Sequence, residues 1–328
     1  MREHLKLWCC MLALLLSVQA QAQRSAADAW PSRPVSVVIP FSPGGSTDNE
    51  ARLYTQKLQE STGQPFVFDF RPGGGSMIGA AFVAKAVPDG YTILIVNSGL
   101  TVLPNFYPDL SYDIIKSFAP ITLMTNRAAV LLVSPVALPN IHSLAELIAY
   151  ARTRPGELNC GTSGPGGITH IVCAALASAT GTKLTYVHYK GVSQGQIDLV
   201  AGRTHLSGGT LFAALPSIKS GKLRAIAILS EQRTRQLPDM RTASEQGVDI
   251  EYPSWLGALA PAATPAAIMS RLHAEFVKAV RAPDVVKQLD AQGSEAIAST
   301  PDAFRKRMLG ELARWKKVIQ DEGIKAEE

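Results

Sequence analysis

Residues 35–48 read Val-Ser-Val-Val-Ile-Pro-Phe-Ser-Pro-Gly-Gly-Ser-Thr-Asp. Val35-Ser-Val-Val-Ile-Pro40 is a short run rich in β-branched residues, which predicts a strand over 35–40. Gly44 and Gly45 let the backbone turn tightly and approach a ligand closely. Ser46, Thr47 and Asp48 are all residues that cap a helix N-terminus, and a helical spacing follows at Leu53, Lys57 and Leu58. A strand that leaves through a glycine loop into a helix is the opening unit of an α/β fold. The unpaired N–H groups at such a helix start favour an anion.

Working outward, the same alternation continues. A helix is expected over 47–61, strands over 66–70 and 91–96, and a helix over 77–86 between them. Near Phe118 to Val133 two strand-like runs occur with no long helix between them. The alternation then resumes with helices over 143–152, 168–180, 194–201 and 211–219, and strands over 158–161, 185–188, 205–207 and 223–229. A last apolar strand over 255–260 precedes three helices, at 266–280, 283–292 and 301–321. The economical reading is two doubly wound α/β lobes joined by two crossing strands. Val130–Ser134 leads out of the first lobe and Trp255–Ala260 leads back. Lobe 1 then comprises 23–128 with 255–328, and lobe 2 comprises 129–254. Open α/β sheets bind ligands outside the carboxyl ends of their strands, so the cleft between the lobes is the expected site.

A second glycine loop, Gly161-Thr-Ser-Gly-Pro-Gly-Gly-Ile-Thr-His170, also leaves a strand and enters a helix. If the lobes face each other, two helix N-termini converge on the cleft and can hold a carboxylate through backbone amides. Gly73-Gly-Gly75 with Gly79 does not make a dinucleotide fingerprint, because Ile78 stands where its third glycine belongs. It reads as a tight turn into a helix. Gly161-Thr-Ser163 begins like a nucleophile elbow, but Pro165 replaces the final glycine of that motif. His170 and Cys173 share a helix face near Cys160, which makes only a weak three-ligand metal site, and no metal or other cofactor is expected.

The N-terminus reads as an export signal. Arg2 and Lys6 make a positive start, Leu5 to Val18 is almost unbroken apolar sequence, and Ala20-Gln21-Ala22 supplies a small-x-small cleavage site. The apolar run is shorter than the roughly 20 residues that span a bilayer. Residues 1–22 are therefore taken as a signal peptide, with Gln23 the first mature residue. The net charge of +5 drops by one when Arg2, Glu3 and Lys6 leave, and no Lys/Arg stripe marks a nucleic-acid surface. Only Cys160 and Cys173 lie beyond the signal, and two buried free thiols are expected in preference to a disulfide.

These residues also carry a family resemblance. Trp30-Pro-Ser-Arg-Pro-Val, Pro-Gly-Gly-Ser-Thr-Asp48, Arg71-Pro-Gly, Pro-Asp-Gly-Tyr91 and Pro-Gly-Glu-Leu158 occur in order. Thr-His170, Tyr-Lys-Gly191, Gly-Lys-Leu-Arg224, Leu-Pro-Asp239 and Leu-Ala-Pro261 follow. Together they resemble the Bug-type extracytoplasmic solute receptors of tripartite tricarboxylate transporters, from about Trp30 to the last helix. The resemblance implies a type II periplasmic-binding-protein fold, a ligand bearing at least one carboxylate, and delivery to a two-component membrane permease. It places the ligand against Phe41 to Asp48, Asn97 and Ser98, Ser163 to His170, and Tyr189.

The expected ligand contacts are Phe41, Pro43, Gly44, Gly45, Ser46, Thr47, Asp48, Asn97, Ser98, Ser163, Gly164, Gly166, Thr169, His170, Tyr189, Gly209 and Thr210. The expectation is a monomeric periplasmic receptor for a small organic carboxylate and no enzyme. The alternative is an exported hydrolase using Ser163 and His170. Three departures from the family pattern bear on the ligand. Phe70 stands at a frequent Asn position within Asp-Phe70-Arg-Pro-Gly, Met77 stands at another, and Gly209 replaces a frequent Asp. Phe70 and Met77 would make the cleft more apolar if they line it. Without an acid at 209, a buried ligand ammonium lacks its partner, so a carboxylate without an α-amino group is favoured.

Overall fold

The computed structural model describes residues 30–321, apart from 42, 45, 108, 163, 165–167, 190, 191, 253 and 292. The expected signal peptide lies outside the described residues. Strands β1 (Val35–Ile39), β2 (Phe66–Phe70), β3 (Thr92–Asn97), β4 (Phe118–Arg127), β10 (Trp255–Pro261) and β11 (Ser294–Ala296) form one sheet, in the order β11-β4-β10-β3-β1-β2. The second sheet contains β5 (Ala129–Val133), β6 (Asn159–Thr162), β7 (Thr185–His188), β8 (Leu206–Thr210) and β9 (Arg224–Ile228), in the order β7-β6-β8-β5-β9. β1 is parallel to β2 and β3, and β10 runs antiparallel between β3 and β4. β6 is parallel to β7 and β8, while β5 opposes β8 and β9.

Both faces of each sheet are covered, which is why β5 and β10 are apolar at nearly every position and buried along their whole length. On the first sheet, α1 (Ser46–Thr62) and α7 (Ala266–Val280) close one face. Ala51, Tyr54 and Leu58 of α1 meet Phe276 and Ala279 of α7 over Val35, Val37 and Ile39. α2 (Met77–Ala84) and α9 (Pro301–Asp321) close the other face, with Val83, Phe304 and Met308 buried against Val38, Leu94 and Leu259. On the second sheet, α3 (Leu144–Thr153) and α4 (Ile168–Thr180) lie opposite α5 (Val192–Val200) and α6 (Leu211–Lys219). α3 starts at a capping box: Ser143 accepts the Glu146 amide, and Glu146 accepts the Ser143 amide. The remaining helix, α8 (Pro283–Ala291), leads into β11, a short edge strand that the apolar pattern did not reveal.

Two expectations are corrected here. Val130–Ser134 does not travel between lobes, because Ala129–Val133 lies wholly within the second sheet and Trp255–Pro261 wholly within the first. The passage is shorter. β4 ends at Arg127 and β5 begins at Ala129, so the outward crossing is Ala128 alone. The return runs beside it, since the Arg127 amide donates to the Ser254 carbonyl at 2.6 Å. The second correction concerns the cysteines. Cys160 and Cys173 form a disulfide rather than two free thiols. Cys160 is the second residue of β6, and α4 packs back so that Cys173 faces it across 6.4 Å between Cα atoms.

α9 does not stay with one sheet. Its first half joins the core of the first sheet, while Trp315 and Ile319 share a buried cluster with Ile171 of α4. Among the described residues no helix is long and apolar enough to cross a membrane.

Gly257 shows how tightly β10 is packed. A Cβ added there would lie 2.3 Å from Cζ of Phe304, which is fully buried. We predict that Gly257→Ala lowers stability by roughly 1–3 kcal/mol through overpacking. The urea midpoint should fall at constant m-value, and an unchanged midpoint would mean Phe304 has room to move.

Candidate functional site

The register brings the candidate loops to one place. β1, β3 and β4 point the same way, and Asn97 pairs with Leu256, which pairs with Thr125. The carboxyl ends of these three strands therefore share the edge from which Ala128 departs. In the second sheet Ala129, the first residue after the crossing, lies opposite Thr210, the last residue of β8. The carboxyl ends of β6, β7 and β8 consequently flank the same crossing. Phe41 to Asp48 with Asn97 and Ser98 stand on one side. Gly164, Thr169, His170, Tyr189, Gly209 and Thr210 stand on the other. The two sides also touch. Val102, just after the 3-10 turn Ser98–Thr101, shares a buried cluster with Ile171, the residue after His170. Gly45, Ser163 and Gly166 lie outside the described residues.

The first loop is organised by Asp48. Gly44, at φ +80°, donates its amide to Asp48 Oδ2 at 2.7 Å, and Arg52 Nε approaches Oδ1 at 2.9 Å. One amide expected to face a ligand is thus spent inside the loop. An acid in the first turn is well placed for this, because the helix dipole favours it there. Phe41 is half-buried and packs into the cores on both faces of the sheet, whereas Pro43 and Gly44 are exposed. Thr47 is buried. Asn97 caps the next turn, accepting the Gly99 amide at 3.0 Å. Thr101 donates to the Ser98 carbonyl and to Glu311 Oε2, at 2.8 and 2.9 Å.

On the far side His170 is buried, with its ring 4.5 Å from Tyr186 and 4.8 Å from His188, centroid to centroid. Burial, then the neighbouring His188, lowers its pKa to about 4. Thr162 Oγ1 lies 2.6 Å from His188 Nδ1. The Tyr189 hydroxyl donates to Asp198 at 2.8 Å. Asp198 also receives Arg203, and these two hydrogen bonds hold its carboxyl below the usual range. Gly209 borders a small cavity of about 20 Å³ with Leu132, Gln196 and Leu199, and an added Cβ would meet only Leu132, at 3.7 Å. Thr210 precedes α6, whose first amide, on Leu211, donates to the Ala128 carbonyl at 2.8 Å.

Phe70 and Met77 do not line one surface together. Phe70 stacks against Phe68 on the α1 face of the first sheet. Met77 lies on the α2 face, in a groove with Phe106, Tyr107 and Tyr112. The reason is that β2 ends at Phe70 and the Gly73–Gly75 turn carries the chain over to the opposite face before Met77. A cavity of about 320 Å³ also opens beside the crossing, between Asn126, Arg127, Ser230, Gln232, Gly293 and Glu295. It lies toward β11, the edge opposite the glycine loop.

Sequence reasoning missed the buried acid Glu50. It accepts from Tyr54 Oη at 2.9 Å, from Thr125 Oγ1, and from Arg127 Nε at 2.9 Å, and Arg127 Nη2 pairs with it at 2.7 Å. The signal was available: Glu50 sits on the same helical stripe as Thr47, Ala51, Tyr54 and Leu58, and an acid on an apolar stripe requires a partner. Glu311 was missed too. It accepts Trp255 Nε1 at 2.8 Å and Arg307 Nε at 2.9 Å, while burial pushes its carboxyl up.

Two sheets with helices on both faces, joined by adjacent crossings with facing carboxyl-end loops, define a two-lobed α/β binding protein. The chain belongs to the tripartite tricarboxylate transporter family receptors, whose family model matches residues 51–324. It is 36% identical over 318 residues to a UPF0065 protein from the tcbD-tcbE intergenic region of Pseudomonas sp. (strain P51), covering 96% of this chain and 94% of that one. It is 32% identical over 322 residues to BugT of Bordetella pertussis, covering 96% and 97%. Among solved structures it is similar to R. palustris Rpa4515 with adipate, at 34% identity and a TM-score of 0.77, over 90% of this chain and 99% of that one. MatC from Rhodopseudomonas palustris with bound malate is similar at 29% identity and a TM-score of 0.74, over 88% and 100%. A family of receptors sets aside the hydrolase alternative on Ser163 and His170.

The His170 environment gives a pH signature. An unfolded chain's imidazole binds its proton near 6.5, the folded one only near about 4. Between these values the unfolded state holds more protons, so stability is full above about pH 6.5 and is lost as pH falls toward 4. His205, also held down by burial, adds to the decline. In His170→Gln the slope of unfolding free energy against pH should flatten across that window, leaving the His205 share. An unaltered slope would assign the proton uptake elsewhere.

Proposed function

We propose that this chain is exported, loses residues 1–22, and serves in the periplasm as a monomeric receptor. It captures a small organic carboxylate between lobe 1 (23–128 with 255–328) and lobe 2 (129–254) and presents it to the permease subunits of a tripartite tricarboxylate transporter. One observation carries this reading: the carboxyl-end loops of both sheets flank a single crossing, with a helix start on each side. Backbone amides of Gly45, Ser46 and the 163–167 loop, with Asn97, Ser98, Thr169 and Thr210, supply the donors. Relatives with adipate and with malate bound support a carboxylate ligand.

The ligand lacks an α-amino group in this reading. Gly209 offers no carboxylate, although a Cβ there would be sterically tolerated. Asp48 is already neutralised by Arg52 and the Gly44 amide. An unpaired buried ammonium would cost several kcal/mol.

A thermal panel tests both statements by pairing each amino acid with its deaminated analogue, such as aspartate with succinate, alongside malate and adipate. A ligand at 100 times its Kd stabilises the native state by about 2.7 kcal/mol, a Tm shift of roughly 4 °C for a chain of this size. No shift with any acid would remove the receptor reading, and shifts confined to amino acids would remove the inference from Gly209. Gly44→Val, at a backbone angle that valine resists, should weaken binding at least tenfold with unfolding still cooperative.

A further inference from the structure

We propose that Glu50 and Arg127 are positioning residues that fix the glycine-loop end of α1 to the crossing between the lobes. The proposal rests on the reading of that loop as a ligand contact. Glu50 lies one turn into α1, directly behind the loop that Asp48 organises. Arg127 is the last residue of β4, and the single residue Ala128 separates it from the second sheet. The pair is buried, with side-chain exposures of 3% and 11%. Two uncharged donors, Tyr54 and Thr125, complete the carboxylate's shell from the helix and from the strand.

The contacts continue past the pair on both sides. Arg127 donates its amide to Ser254 in the return crossing. The Ala128 amide donates to the Gly293 carbonyl at 3.0 Å, and the Ala128 carbonyl accepts the first amide of α6, beside Thr210. Hydrogen bonds at Asp48, at Glu50–Arg127 and at Ala128–Leu211, joined by short stretches of backbone, therefore lie in series between the glycine loop of one lobe and the start of α6 in the other. The pair itself lies wholly within the first lobe, so it holds the loop end of α1 against the strand from which the crossing departs.

The energetics favour positioning over bulk stability. Two buried charges must recover a large desolvation cost, and neutral pairs of similar size often match such pairs in stability. Removing one partner alone leaves an uncompensated buried charge. A buried pair kept at this location thus earns its place through the arrangement it specifies.

The test compares Glu50→Gln, Arg127→Met and the double variant, in ligand-free protein first. Hydrogen exchange is followed in a peptide covering Phe41 to Tyr54 and in one covering α3 of the other lobe. Exchange in the loop peptide should rise at least tenfold in all three variants with α3 unchanged. The Tm should fall in the single variants and recover in the double. Succinate, malate and adipate are then titrated, and whichever binds the wild type should bind the double variant at least tenfold more weakly despite its recovered Tm. Loop exchange that returns to the wild-type rate together with the Tm would overturn the proposal, as would loop exchange unaffected in the single variants. If the single variants fail to fold, Tyr54→Phe removes one bond to Glu50 and should accelerate loop exchange in the same direction; unchanged exchange there would also overturn it. A wild type that binds none of the acids would refute the receptor reading, while the ligand-free exchange data still decide this proposal.

Discussion

The constraint on which the rest depends is the narrowness of the passage between the sheets. One residue, Ala128, carries the chain outward, and the Arg127 amide bonded to the Ser254 carbonyl holds the return beside it. Two adjacent extended segments can twist together, but neither can stretch or bend far alone. The strand directions do the rest: β3 and β4 deliver their carboxyl ends to this edge, and Ala129 beside Thr210 brings those of the second sheet to the same place. The loops that face each other do so because of register, not because of any attraction between them.

Charge is handled around the passage by local pairing. Glu50 with Arg127 and Glu311 with Arg307 each bury a carboxylate against a guanidinium and add neutral donors such as Tyr54 and Trp255, while buried Asp48 pairs with Arg52 and accepts the Gly44 amide. A buried carboxylate left with a free lone pair would be costly. Arg307 also reaches Glu231 and Glu251 at 3.0 and 2.7 Å, so α9 is bonded to the segment that leads back to β10. With Trp315 packed against Ile171 and Val102, this one helix supports elements behind both candidate loops.

The local elements were legible in the sequence because they rest on short-range physics. The apolar run at Val35–Ile39, the capping residues at Ser46–Asp48 and the Gly73–Gly75 turn each declare a strand, a helix start and a reversal within a few residues. The helices at 168–180 and 211–219 and the strand at 185–188 match their predicted ranges. β11 was not legible: three residues, Ser-Glu-Ala, become a strand only because β4 offers them a free edge.

By itself the sequence determined the α/β class, the two glycine loops and the family to which the chain belongs, since periodicity, capping and motif order are local properties. Only the tertiary structure decided where the chain crosses, because Val130–Val133 has the same apolar pattern whether it links two sheets or lies inside one. It also decided partners. The Cys160–Cys173 bond, the turning of the Tyr189 hydroxyl to Asp198, and the burial of Glu50 against Arg127 join residues whose spacing carries no periodic signal. Glu50 and Arg127 are 77 positions apart, and no local rule connects a carboxylate to a guanidinium at that distance; the packing of α1 across β3 and β10 does.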